Sequence, residues 1–252
     1  MERNLNGDKM KEKRIGNDEM KAIELDIMRE LYRVCHEEGL KCIMAYGTLL
    51  GAIRHHGFIP WDDDIDLIMP REDYERLPEA FAKLSSKPYY KIIWYRDRSS
   101  IYPFIKVVDT RTEVIEHYVD ERWCRTGVWV DVFPADGIGQ SDKTFEDVAR
   151  LRRKYDYLTA NIHEGSSTVN LLGKRVLKAI MPKEDIYQIA QQLDDIARAV
   201  PLAESREAGR WGRTSACPNP SYSIPAPTIS KASSSTARET TTFASRAGME
   251  TT

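Results

Sequence analysis

Apolar residues between positions 20 and 34 recur every three or four places, which is the spacing of one face of a helix. The face consists of Met20, Ile23, Ile27, Leu31 and Val34. Asn17 or Asp18 can cap the beginning of this helix, and Gly39 can end it. Residues 1–16 are mostly polar and are predicted to form a disordered tail.

Residues 40–140 alternate short runs rich in β-branched and aromatic residues with two helical patterns. The predicted strands cover 40–46, 64–69, 89–95, 102–109, 113–118 and 127–133, and the predicted helices cover 48–54 and 71–84. Helical patterns then continue from 141 to 208. This order predicts an α+β fold, in which a mixed, mostly antiparallel β-sheet is flanked by helices and followed by a helical block.

The end of the chain has a different composition. From Arg210 to Thr252, 26 of 43 residues are Ser, Thr, Ala or Pro, and no apolar periodicity remains. Such a segment buries too little apolar surface to order itself. We therefore divide the chain into the tail at 1–16, a core domain at 17–140, the helical block at 141–208 and a low-complexity, disordered tail at 209–252.

Composition and charge exclude several classes of protein. The chain has 252 residues, 41% of them hydrophobic, and a net charge of −2, so it has no basic field for nucleic acid. No apolar run approaches the roughly 20 residues of a transmembrane helix, and the N-terminus lacks the apolar stretch of a secretory signal. The four cysteines form no CxxC pair, which favours reduced thiols in the cytoplasm.

The candidate binding and catalytic residues are concentrated in the segment 46–69, YGTLLGAIRHHGFIPWDDDIDLIM. Gly47 and Thr48 lie between a predicted strand and a predicted helix. Free N–H groups at a helix N-terminus bind anions, so this turn suits a phosphate, or it is an ordinary turn and cap. Arg54 could add positive charge, or it lies at a solvated helix end.

Two carboxylates flank Ile65 at the beginning of the predicted strand 64–69. Asp64 and Asp66 stand at positions i and i+2, which point to the same face of a strand. Carboxylates held in this way can bind Mg²⁺ or Mn²⁺. The alternative is an acidic, solvent-facing strand. The spacing also imitates an EF-hand loop, but Leu67 and Asp73 occupy the positions that need glycine and glutamate.

Asp131 lies inside the apolar strand 127–133, where an isolated carboxylate is unfavourable. It is either paired with a lysine or arginine, or it is a third metal ligand beside Asp64 and Asp66. Lys106 lies among apolar residues of another predicted strand and could reach a phosphate, although such lysines also extend to solvent.

Four stretches of the sequence together resemble the LicD family, which is related to fukutin-like proteins and to the nucleotidyltransferase superfamily. They are Tyr46–Arg54, Gly57–Asp66, Met69–Tyr74 and Asp131–Pro134. The resemblance covers about 19–137 and extends weakly to about 208. It implies a nucleotidyltransferase-like sheet in the catalytic core at 17–140.

The resemblance also implies an activity. Family members transfer phosphocholine from CDP-choline, or a similar group from another CDP-alcohol, to a cell-surface glycan such as lipopolysaccharide or teichoic acid. By this resemblance Asp64, Asp66 and Asp131 are the catalytic, metal-binding residues for Mg²⁺ or Mn²⁺, and Gly47 and Thr48 bind phosphate.

The expected location of such an enzyme is the cytoplasm, at the inner face of the membrane. Two alternatives remain, a nucleotidyltransferase acting on a small molecule or RNA, and an inactive binding protein.

Phe58 and Trp61 could form an aromatic wall for a choline group, or they pack the loop. His55 and His56 could ligate a metal or act as a base, or they are solvated.

The low-complexity tail suggests a shifted reading frame near Arg210. Family members continue with a Phe-Glu-Gly strand, a Pro-x-Asp-Tyr-Asp turn and a Tyr-Gly-Asp-Tyr ending, which residues 209–252 lack. Synonymous codons can be chosen for Ile229–Thr252 so that the displaced frame encodes FEGLKFHCPGDYDFRFKGRYGDY, which has all three. The nucleotide sequence tests this hypothesis, and an early stop codon in the displaced frame would refute it.

Overall fold

The structure is a computed structural model that describes residues 13–137, 142–161 and 184–202, together with two short strands further along the chain. The helices are α1 (Asn17–Glu38), α2 (Tyr46–His55), α3 (Arg71–Leu84), α4 (Asp142–Thr159) and α5 (Ile186–Arg198). The strands are β1 (Ile43–Met44), β2 (Asp66–Pro70), β3 (Tyr90–Ile93), β4 (Ile105–Ile115), β5 (Arg125–Gly137), β6 (Glu207–Gly209) and β7 (Ile224–Pro225).

The strands form a mixed sheet in the order β1-β2-β5-β4-β3, with β6 paired to β5 and β7 to β6. Strands β2 and β5 run parallel, and the other pairs are antiparallel. The predicted α+β class, a mixed sheet flanked by helices, is therefore confirmed. The parallel pair joins segments about 60 residues apart in sequence, and it places Asp66 directly beside Asp131.

The core lies between one face of the sheet and helices α1 and α3. Its fully buried residues include Ile27, Leu31, Leu67, Met69, Leu77, Val107, Val130 and Val132. A second apolar cluster joins α4 and α5 to the segments that flank β4. Its members include Ile101, Val119, Leu151, Tyr155, Ile189 and Leu193. Both clusters follow from the helical periodicity of the sequence.

A buried ionic network connects α3, β5 and α5. The Arg71 guanidinium donates to Asp136 at 2.8 Å and to Asp194 at 2.9 Å, and Asp194 is 1% exposed. Arg96 and Arg198 also donate to the Asp194 carboxylate. A buried carboxylate is stable only with positively charged partners. Because Asp194 belongs to α5 and Arg71 to α3, their pairing fixes α5 against the end of the sheet.

Several predicted element boundaries are wrong. The predicted strand 40–46 is limited to β1 at Ile43–Met44, and α2 begins at Tyr46 rather than at residue 48. The strands predicted at 102–109 and 113–118 are the single strand β4, whose pairing with β5 is irregular between Asp109 and Val114. The predicted strand 127–133 extends from Arg125 to Gly137, and Arg71 holds Asp136 near its end. The predicted strand 64–69 begins at Asp66, so Asp64 lies in the preceding loop.

Part of the predicted organisation falls outside the described residues. Helices α4 and α5 lie within the predicted helical block, but residues 162–183 are not described. The same holds for 1–12 and for most of the low-complexity tail and its proposed frame shift. Within the described ranges, no helix is long and apolar enough to cross a bilayer.

Candidate active site

Three charged residues form a row across neighbouring strands. Asp131 on β5 is the pairing partner of Asp66 on β2 and also of Lys106 on β4. Directly opposed residues on paired strands project from the same face of a sheet. Asp66 and Asp131 are each 9% exposed and Lys106 is 3% exposed. The sheet therefore brings together three of the predicted site residues at a nearly buried position.

Lys106 is bound to Asp131. Its Nζ atom lies 2.9 Å from Asp131 Oδ1, and it also lies 3.9 Å from the centre of the Trp129 ring and 4.5 Å from that of Tyr102. Aromatic faces stabilise an ammonium group by cation–π attraction. Asp131 is thus paired with a lysine, which was one of the two alternatives that the sequence allowed. Lys106 also reduces the negative charge of the row. The proposed role of Asp131 as a third metal ligand stays a prediction.

The turn before α2 is fixed to the beginning of β2. Thr48 Oγ1 accepts a hydrogen bond of 2.8 Å from the Asp66 backbone N–H, and the Asp66 carbonyl accepts one of 3.0 Å from Ala45. Thr48 therefore positions Asp66, while its hydroxyl hydrogen can still be donated to a ligand.

Gly47 lies against the carboxylate of Asp62. A side chain at this position would overlap Asp62 Oδ2, so the glycine makes room for that carboxylate at the N-terminus of α2. The preceding residue, Tyr46, has a φ of 46°, which is unusual for an aromatic residue. A side chain at this predicted phosphate turn would therefore displace the Asp62 carboxylate.

The loop before β2 gathers three carboxylates. Oxygen atoms of Asp62, Asp63 and Asp64 all lie within 4.8 Å of one another, a convergence found for no other acidic, histidine or cysteine trio in the described ranges. Burial, followed by the charges of Asp62 and Asp131, raises the pKa of Asp64 to about 6. Asp64 therefore interacts electrostatically with Asp62 of the loop and with Asp131 of the charged row.

Sequence reasoning did not identify Glu24. It lies on α1, is 3% exposed, and its Oε2 atom is buried without a hydrogen-bond partner. Burial, followed by the charges of Asp64 and Asp63, raises its pKa to about 8. Its position in the sequence could have identified it as a buried acidic residue, because Glu24 lies next to Ile23 and three places before Ile27 on the apolar face.

Arg54 lies apart from this cluster. It is exposed on the last turn of α2, roughly 9 Å along the helix axis from Thr48 at 1.5 Å per residue. Trp61 is 80% exposed, with its ring edge-to-face with His55. Phe58 is half-buried beneath the ammonium group of Lys21. Trp61 therefore remains available to a ligand, whereas Phe58 packs the loop.

A cavity of about 310 Å³ adjoins Lys106. Its lining includes Arg98, Tyr102, Lys106, Glu116, Arg122 and Arg125. Three guanidinium groups beside a lysine favour an anionic ligand. Each arginine has an acidic partner, namely Asp185, Asp120 and Glu113, which moderates this field.

The residues present fit a hard divalent cation. Oxygen atoms from three aspartates converge, and a buried carboxylate oxygen of Glu24 has no partner. Ligand sets made only of oxygen suit Mg²⁺ and Mn²⁺. The converging trio is Asp62–Asp64 rather than the predicted set of Asp64, Asp66 and Asp131. Asp64 belongs to both sets, and the other two residues lie on the adjoining strands.

Residues 39–147 match the family model described as LicD/FKTN/FKRP, nucleotidyltransferase domain. This part of the chain is similar to the LicD family. The resemblance noted in the sequence is therefore confirmed, and the charged row, the α2 turn and the acidic loop all lie inside the LicD domain. No solved structure matches the chain.

Three curated relatives match part of the chain. The chain is 29% identical over 138 residues to the lipopolysaccharide cholinephosphotransferase LicD of Haemophilus influenzae, an alignment that covers 54% of this chain and 50% of the relative. Uncharacterised proteins of Rickettsia typhi and Rickettsia prowazekii are 34% and 33% identical over 85 and 86 residues, which cover 33% and 34% of this chain. The matches cover 26% and 32% of those two relatives, so the chain spans half or less of all three.

Proposed function

We propose that the LicD domain transfers phosphocholine, or a similar phospho-alcohol group, from a CDP-alcohol to a hydroxyl of a cell-surface glycan, with Mg²⁺ or Mn²⁺ as cofactor. The observation that carries the proposal is the row Asp66–Asp131–Lys106 beside the acidic loop. The name of the Haemophilus influenzae relative supports choline phosphate as the group and lipopolysaccharide as one acceptor class. We place the reaction in the cytoplasm, at the inner face of the membrane.

In the proposed reaction, the acceptor oxygen forms a bond to the phosphorus that carries the alcohol, and the bond from this phosphorus to the bridging oxygen breaks. CMP leaves with the bridging oxygen, and the hydroxyl proton passes to a base. A bound divalent cation neutralises the diphosphate and the leaving group in this chemistry. Asp62–Asp64 and Asp66 would hold it.

The other residues of the site position the reactants. The carboxylates of the row lie where one of them can accept the hydroxyl proton. Thr48 holds Asp66 in place, and its hydroxyl can donate to a phosphate oxygen. Lys106 fixes Asp131 and lines the cavity, which would take an anionic part of a substrate.

A radiolabel-transfer assay tests the proposal. The chain is incubated with Mg²⁺, CDP-choline or other CDP-alcohols labelled in the alcohol, and a lipopolysaccharide or teichoic acid acceptor. We expect labelled glycan and an equal amount of CMP. Asp66→Asn should lower the rate by about 10²–10³-fold, as typical for removal of a catalytic electrostatic group. Asp18→Asn, on the exposed first turn of α1, is the matched control.

Other outcomes would contradict the proposal. Consumption of a nucleoside triphosphate with transfer of the nucleotide itself would assign the alternative nucleotidyltransferase activity. Absence of transfer together with absence of Mg²⁺-dependent nucleotide binding in calorimetry would assign the inactive binding protein.

A further inference from the structure

We propose that Glu24 of helix α1 is an additional ligand of the cation site formed by Asp62, Asp63 and Asp64. Helix α1 precedes the matched segment 39–147, so the carboxylate would come from outside the LicD domain. The inference rests on the proposed cation-dependent function, and it assigns to that site a residue that the sequence motifs do not contain.

The packing of α1 directs Glu24 toward the acidic loop. Lys21 lies one turn earlier, and residues three apart on a helix share a face. Its Nζ atom lies 3.5 Å from the Pro60 carbonyl oxygen and 5.1 Å from the centre of the Phe58 ring. This face of α1 therefore meets the chain just before Asp62, and Glu24 is the next acidic residue along it.

The carboxylate of Glu24 lacks the partners that a structural glutamate has. Glu24 is 3% exposed and its Oε2 atom accepts no hydrogen bond. Glu30, two turns later on the same helix, is buried to a similar degree, but it accepts hydrogen bonds from Arg33, Ser85 and Ser86. The same helix thus has one buried glutamate with several donors and one, Glu24, that has no donor and whose charge is opposed by those of Asp64 and Asp63.

A cation explains this arrangement. A buried carboxylate without a donor is unfavourable, and further carboxylates nearby make it more so. A divalent ion bound among the four groups would supply the missing positive charge and would use the unpartnered oxygen as a ligand. Lys21 does not supply this positive charge by direct contact with Glu24, because its ammonium donates to the Pro60 carbonyl and lies over the Phe58 ring.

The test measures binding of Mn²⁺ alone to the full chain by electron paramagnetic resonance. Glu24→Gln keeps the shape and removes the charge, and Glu19→Gln makes the same change at an exposed position on the same helix. We expect the affinity for Mn²⁺ to be about 10-fold lower or more in Glu24→Gln, which is the size of effect seen when a residue that supports a metal site is changed. The affinity of Glu19→Gln should equal that of the unaltered chain. Unchanged affinity in Glu24→Gln would overturn the inference.

Thermal unfolding provides a second readout. In EDTA, Glu24→Gln should melt at a higher temperature than the unaltered chain, because the buried repulsion is relieved. Addition of Mn²⁺ should then raise its melting temperature by less. If Glu24→Gln does not fold, Glu24→Met takes its place, with the same expectations. Equal Mn²⁺-induced shifts in a folded variant and in the unaltered chain would contradict a ligand role.

These measurements need neither a nucleotide nor a glycan, so they separate the inference from the proposed function. A chain that binds Mn²⁺ through Glu24 and transfers no phospho-alcohol group would refute the function alone. A chain that is active, and whose Mn²⁺ affinity does not depend on Glu24, would refute the inference alone.

Discussion

Lys106 Nζ lies 2.9 Å from Asp131 Oδ1, and the two residues are direct pairing partners on β4 and β5. The pair is nearly buried, and the ring of Trp129 covers the ammonium group. The protein tolerates the loss of both partners of such a buried ion pair better than the loss of one, because one remaining buried charge has no opposite charge beside it.

Replacement of the lysine alone should therefore destabilise the protein. Lys106→Met leaves the Asp131 carboxylate buried without its cation, and we expect the free energy of unfolding to fall by about 3 kcal/mol. Urea unfolding measures the change. Lys91→Met, at an exposed position of β3, is the matched control and should change it by less than about 0.5 kcal/mol.

The double variant Lys106→Met/Asp131→Asn distinguishes pairing from packing. We expect it to be more stable than the sum of the two single changes indicates, since the uncompensated charge is gone. Strict additivity would show that Lys106 stabilises the sheet through its aliphatic chain and ring contacts rather than through the ion pair.

The Thr48 hydroxyl gives the second prediction. Thr48→Val keeps the shape but leaves the Asp66 N–H without its acceptor, which should lower the free energy of unfolding by about 1–3 kcal/mol. The rate of group transfer should fall as well, because Asp66 loses its anchor. Thr48→Ser retains the oxygen and should preserve both quantities. Equal stability of the valine and serine variants would show that the hydrogen bond contributes nothing.

The long helices were predictable from the sequence because their signals are local. Helix α1 ends at Glu38 as predicted, and Gly39 follows in a left-handed conformation with φ of 68°, but its N-cap is Gly16 rather than the predicted Asn17 or Asp18. Helix α3 also begins and ends where predicted, at Arg71 and Leu84, after the Pro70 that closes β2. Apolar periodicity and a glycine or proline stop are enough to define such elements.

The site was only partly predictable because its geometry depends on contacts between distant segments. The motif identified the turn and the acidic residues, but whether Asp131 meets a lysine depends on the register of β4 against β5. Likewise, the burial of Glu24 results from the docking of α1 on the loop before β2. No local pattern encodes either contact, which is why the lysine pairing stayed an open alternative and Glu24 was missed.

The third prediction concerns the support of the acidic loop. A side chain at Gly51 on α2 would lie 2.6 Å from the Gly57 carbonyl oxygen and 3.0 Å from the Ile59 nitrogen. Both are backbone atoms, so the loop must shift to accept it. Gly51→Ala should lower the free energy of unfolding by about 1–3 kcal/mol, the range for overpacking, and should weaken Mn²⁺ binding.

Gly57→Ala is the matched control for this change. Its added carbon would meet no atom within 4 Å, so stability and Mn²⁺ affinity should stay close to those of the unaltered chain. Chemical unfolding and paramagnetic titration of both variants measure the difference. Equal effects of the two alanines would mean that α2 and the loop do not constrain one another.

The fourth prediction is a pH dependence of stability due to Glu30. Burial alone would raise the pKa of Glu30, but hydrogen bonds from Arg33 and Ser86 outweigh it and lower the pKa from 4.5 to about 2. A carboxyl group with a lower pKa in the folded state stabilises that state at pH values above its unfolded pKa. This contribution, about 3 kcal/mol, should disappear as the pH falls from about 4.5 through 2.

Urea unfolding between pH 6 and pH 2.5 measures this contribution, with Glu30→Gln as the variant and Glu79→Gln, exposed on α3, as its control. Glu30→Gln should be less stable than the unaltered chain at pH 6, and the difference should narrow toward pH 2.5, because the glutamine has no proton to gain. The control should follow the unaltered chain across the whole range. A constant difference between Glu30→Gln and the unaltered chain would assign the effect to packing, since only an ionised Glu30 makes it depend on pH.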